Sequence, residues 1–153
     1  MPIHSFLVHL PLGLAAISPF VCAVFFYLIQ IKKFDPKIWA IPAAILTLIA
    51  LSAFAAILSG EQSEEQVEKI VPSEVIEEHE DAAWFFLSIS ACGAALSFLP
   101  FLPTIGRRPG RALAAMTGTL LLSIGVLSAA IVTGHRGGEI IFTHNGAKAF
   151  QMK

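Results

Sequence analysis

The chain is poor in charge. Only 14% of its 153 residues are Asp, Glu, Lys or Arg, where a soluble domain carries about a quarter. The net charge is −1, so bulk electrostatics give no basis for binding nucleic acid. Cysteine is nearly absent: Cys22 and Cys92 each lie inside an apolar run, which argues against a disulfide scaffold or a thiolate metal site and predicts two small buried core residues. No Lys or Arg precedes the first apolar run, and a cleaved signal peptide opens on basic residues. VCA at 21–23 imitates a cleavage site, but the run is long and IKKF follows it like a stop-transfer signal. That run is therefore read as a membrane span. Internal repeats and low-complexity segments are lacking too.

What is present is apolar length. Hydrophobic residues make up 56% of the chain and the mean hydropathy is +0.75. Four runs, at about 5–31, 38–58, 82–102 and 112–133, contain no Asp, Glu, Lys or Arg. Each is near the ~20 residues needed to cross ~30 Å of hydrocarbon. A backbone in lipid must satisfy its own hydrogen bonds, so each run is predicted to be a helix. The expected fold is all-α: a single four-span membrane domain, an integral four-helix bundle with both termini on one side.

Charge sets the expected orientation. The connector after the first run carries Lys32, Lys33 and Lys37, and the one after the third carries Arg107, Arg108 and Arg111. The connector at 59–81 instead holds eight Glu and one Asp against the single Lys69. The positive-inside rule places the two basic loops in the cytoplasm. Both termini and the acidic loop then face outward, toward the periplasm if the membrane is a bacterial inner membrane. Within the acidic loop, SEEQ at 63–66 fits a capping box, predicting a short helix to about Val71 that Pro72 ends. Ser73 is predicted to cap the helix that leads into the third span.

The histidines follow this topology. His4 and His9 open the first span, His79 precedes the third, and His135 and His144 follow the fourth. All five are expected at the outer end, with Glu61, Glu78, Glu80, Glu139 and Arg136. Ionisable groups placed near or within a membrane are costly and tend to be functional. Gly13 and Ala16 below His9, and Ala82 and Ala83 below His79, leave room for a flat ring; Gly118, Gly125 and Ala129 form a small-residue stripe that equally serves close helix approach. His4 and His9, five residues apart, point in different directions on a helix and suit separate sites. His135 and Glu139 are one turn apart, provided that Gly137 and Gly138 do not end the helix. There is no HExxH helix for zinc and no ExxH motif for a ferritin-like centre. Glu64, Glu65, Glu68 and Glu74 read as a solvated acidic face.

These residues, in this order, resemble the bacterial membrane family called domain of unknown function 2231. The likeness rests on the histidine pair in IHSFLVHLPLGL, the Gly-Glu in LSGEQ, the histidine in EEHEDAAW, and the glycine pair and late histidine in GHRGGEIIFTHNG. It covers nearly the whole chain and departs at His4-Ser5, where the family has His-Pro, which bears on the local turn alone. The resemblance carries over His4, His9, Glu61, His79, Glu139 and His144, and it implies redox company and haem b binding. The leading expectation is a b-type haem protein holding one or two haems near the outer face, with His9 and His79 as an axial pair, His4, His135 and His144 at a second site, and Arg136 on a haem propionate. It would pass electrons between quinone and an extracytoplasmic redox protein. One alternative is a zinc, iron or copper site built from His4, His9, His79, His144, Glu61 and Glu139. Another is a non-catalytic subunit that docks a redox partner. No catalytic residue is assigned, and the sequence leaves a homo-oligomer open.

Overall fold

The computed structural model describes residues 3–150, apart from the side chain of Ser63. Among the described residues every regular element is helical. In chain order they are α1 (Ile3–Leu7), α2 (His9–Gln30), α3 (Ala40–Val67), α4 (Ser73–Phe98), α5 (Pro103–Gly106) and α6 (Pro109–Phe142), with short 3₁₀ turns before α3, after α4 and at Gly146–Phe150. Four stretches are long and apolar enough to cross a membrane: Ile3–Gln30, Pro36–Gln62, Ser73–Phe101 and Pro109–Phe142. Helix α2 packs on α3 and α6, and α4 packs on the same two, so the four long helices close into an up-and-down bundle.

The core packs a few large side chains, Trp39, Leu46, Ile49, Phe86 and Val126, among many small ones. The small residues include Ala15, Ser18, Cys22, Ala43, Ala53, Ser90, Gly93, Ser97, Ser123 and Ala130. Large side chains such as Phe20, Leu51, Phe85, Leu121 and Ile131 point outward. In lipid no hydrophobic force sorts large apolar side chains to the inside, and packing is won largely by close backbone approach. The α4–α6 contact shows this. A Cβ on Gly118 would stand 3.0 Å from Leu96 Cδ2, and one on Gly125 would stand 2.8 Å from Ile89 Cδ1, so the small-residue stripe on α6 receives side chains from α4. Buried hydroxyls bond within their own helix: Ser90 to the Phe86 carbonyl at 2.7 Å, Thr119 to the Ala115 carbonyl at 2.9 Å, Ser123 to the Leu120 carbonyl at 2.7 Å.

Three expectations are corrected. Cys22 is buried, but Cys92 is exposed on the outside of α4, where it meets lipid. No separate helix starts at SEEQ: α3 runs without a break from the second span to Val67, because helix-forming Glu and Gln extend a helix that already exists, and a capping pattern acts only where a helix begins. Ser73 is the first residue of α4 and not its cap; the cap position is Pro72, with no side-chain capping bond.

Both ends of the bundle are finished by tight structure. At the basic end, Lys32 takes φ 54°, and its amide bonds to the Ile29 carbonyl while that of Lys33 bonds to the Leu28 carbonyl. This is a Schellman stop with lysine in the left-handed position that glycine prefers. At the histidine end, Val71, Ile76 and Ile140 form a small core of their own with Val67, Ile70 and Val75. The segment at Gly146–Phe150 folds back against α3 and α6, with Gly146 pressed between Ile140 and Val71.

Candidate functional site

The site begins in the first turns of the first span. Pro11 has no N–H, so the Leu7 carbonyl loses its partner four residues on and the pyrrolidine ring crowds it. The helix is only locally loosened at Val8, which keeps helical φ and ψ, and the bonds from the Val8 amide to the His4 carbonyl and from the Leu12 amide to the Val8 carbonyl carry it on from α1 into α2. The one inward-directed polar side chain of α1 is His4. The ring reaches α3, where Nδ1 lies 2.9 Å from the Ala56 carbonyl and 3.0 Å from Ser59 Oγ. Gly60 makes that reach possible: a Cβ there would stand 3.2 Å from His4 Cε1.

His79 comes from the first turns of α4 and meets the same space from the other side. Its ring lies against Gly137 of α6, where a Cβ would stand 3.1 Å from Cε1. The imidazoles of His4 and His79 lie nearly perpendicular, with centroids 6.5 Å apart and planes at 84°. Among the described residues His79 Nδ1 is buried without a hydrogen bond of normal geometry, with the Thr133 backbone the polar group nearest to acting on the ring. Below it, Thr133 Oγ1 donates to the Ala82 carbonyl across the helix contact at 3.0 Å and back to the Ala129 carbonyl at 3.0 Å, fixing α6 against α4. Above it, Arg136 of α6 pairs with Glu78 of α4 at the rim, and Arg136 is close enough to His79 to act on it electrostatically.

The remaining candidates separate from this pair. His9 is exposed, and nothing approaches Gly13 within 4 Å, so the room expected beneath His9 opens outward and not into the bundle. It is His4, not His9, that the structure brings to His79. Helix α6 passes straight through Gly137 and Gly138 to Phe142, so His135 and Glu139 do share a face. They line an open groove on the outside of α6 with Gly134, Gly138, Phe142 and Thr143, away from the His4–His79 pair. Glu61 is exposed, and His144 is half-buried past the end of α6. Among the described residues no three His, Cys, Asp or Glu side chains converge as a metal-binding group.

The local sequence shows little of what supports the pair. Ser59, the Ala56 carbonyl and Gly137 hold the rings, and Glu78 occupies Arg136, yet each is distant in sequence from the group that it serves. Gly60 had a signal, the Gly-Glu of LSGEQ, but its role is steric and its neighbour Glu61 drew the chemistry. A family model described as Predicted membrane protein (DUF2231) matches residues 1–149. No curated protein and no solved structure matches the chain.

Proposed function

We propose that this chain, which belongs to the DUF2231 family of predicted membrane proteins, is a membrane-embedded b-type haem protein with His4 and His79 as the iron ligands. The observation that carries this reading is the paired imidazoles, 6.5 Å between centroids, on two different elements of a four-helix bundle. Two imidazoles sharing one metal at about 2 Å per nitrogen put their ring centres roughly 6 Å apart. The donor count supports haem over zinc or a carboxylate-bridged centre. A haem iron takes four nitrogens from its macrocycle and asks the protein for two, whereas structural zinc asks the protein for four donors and catalytic zinc for three.

The chain's own groups then have definite tasks. The α3 backbone orients His4, which α1 carries against α3, and Gly137 seats His79. Arg136, already at the rim on Glu78, is placed to meet a haem carboxylate. The bound group would supply one-electron transfer. The basic loops orient the histidine end outward from a bacterial inner membrane, so electrons would pass between quinone in the bilayer and a redox protein outside it. Chain purified from haem-replete cells is expected to show a Soret band and a reduced α-band at one haem per chain. A colourless preparation with stoichiometric zinc, iron or copper would establish the non-haem alternative.

A further inference from the structure

We propose that the α3 backbone locks His4 as its Nδ1-protonated tautomer, and that Ser59 is a positioning residue that holds the ring so that the Nε2 lone pair is the one offered to a metal. The argument is an accounting of donors. A neutral imidazole carries one N–H and one lone pair, and which nitrogen holds which is set by its partners. His4 Nδ1 faces the Ala56 carbonyl at 2.9 Å, and a carbonyl only accepts. Its other neighbour, Ser59 Oγ at 3.0 Å, donates its own hydrogen to that same carbonyl at 2.7 Å, so it too presents a lone pair to the ring. Both partners demand a proton on Nδ1. Nε2 is left with the lone pair, which is the form in which histidine binds a metal. Gly60 leaves the space that this ring position needs, since a Cβ there would stand 3.2 Å from His4 Cε1 and 3.4 Å from Nδ1.

This deepens the haem reading for the ligand role, while the tautomer itself stands on the protein alone. Two experiments separate them. The first uses the full chain without haem, labelled with ¹⁵N-histidine in lipid nanodiscs, and assigns His4 by difference against a His4→Gln variant. The proposal predicts the Nδ1–H tautomer for His4. A dominant Nε2–H form, or an even mixture, overturns it whether or not haem binds. The second titrates hemin into the unmodified chain and into Ser59→Ala and Ser59→Thr variants. Outer partners of metal-bound histidines are worth about 10- to 100-fold in affinity, so Ser59→Ala is expected to bind hemin about 10-fold more weakly and Ser59→Thr to restore most of the loss. Equal affinity in all three overturns the positioning role. Absence of hemin binding in every chain, beside an Nδ1–H signal, overturns the haem reading and leaves the tautomer assignment standing.

Discussion

His4 and His79 come from the first and third membrane-spanning segments, and their rings meet at 84° with centroids 6.5 Å apart. Each is backed by a glycine on a third helix, Gly60 behind His4 and Gly137 behind His79. The arrangement uses all four walls of the bundle to place two side chains.

The glycines should therefore be intolerant of even one methyl group. A Cβ at 3.1–3.2 Å from an imidazole carbon forces the ring to move by a few tenths of an ångström. Gly60→Ala and Gly137→Ala are each expected to lower haem content at least several-fold while helicity is retained, since alanine favours a helix over glycine by about 1 kcal/mol. Gly138→Ala is the control, because its Cβ would meet only Phe142 Cδ2 at 4.0 Å. Pigment-to-protein ratio and circular dichroism measured together check this.

The α4–α6 seam should fail by overpacking and not by loss of apolar surface. Gly125→Leu drives a side chain into Ile89, which would stand 2.8 Å from a Cβ there, and should cost about 1–3 kcal/mol or more. Leu121→Ala, on the lipid face, should be close to neutral. Unfolding in mixed micelles gives both values, and a larger loss for Leu121→Ala would contradict the outward placement of Leu121.

Thr133 and Arg136 make polar links between the same two helices, and both are expected to contribute little to stability. Thr133→Val removes the bond to the Ala82 carbonyl; interhelical bonds in membranes average ~0.6 kcal/mol. Arg136→Gln breaks a pair whose side chains are 35% and 58% exposed, and such pairs are worth about 0–1 kcal/mol. A loss of several kcal/mol from Arg136→Gln would show that the rim pair is more deeply desolvated than its exposure indicates.

Lys32 sits in the left-handed region at φ 54°, where a non-glycine residue costs roughly 1 kcal/mol. Lys32→Gly is expected to stabilise the bundle by about that amount, read as a higher unfolding midpoint in micelles. Lys32→Val, β-branched at the same φ, should destabilise it.

The spans were legible because the membrane imposes them: an uncharged run of ~20 residues has few other fates. The clustering of histidines at one end was legible for the same reason, since topology follows from the order of the runs. What sequence could not show was which histidine turns inward. His4 and His9 both open the first span, five residues apart and so on different faces of it, and only the packing of α1 on α3 shows that the His4 face is the inner one. The continuation of α6 through Gly137 and Gly138 was also hidden. Glycine pairs commonly end helices, but here Gly137 is kept for the His79 ring, and Ile140 anchors the far side against Val71 and Ile76. SEEQ misled for a related reason, because a capping pattern carries no information once a helix has already begun.

The central claim is the pairing of His4 with His79, and dithionite-reduced minus oxidised spectra of four chains test it most directly. The unmodified chain and His9→Ala are predicted to show the same sharp α-band, because His9 is exposed away from the pair. His4→Ala and His79→Ala are each predicted to lose it. A full α-band in either of those two variants, or none in the unmodified chain supplied with haem, would contradict the account.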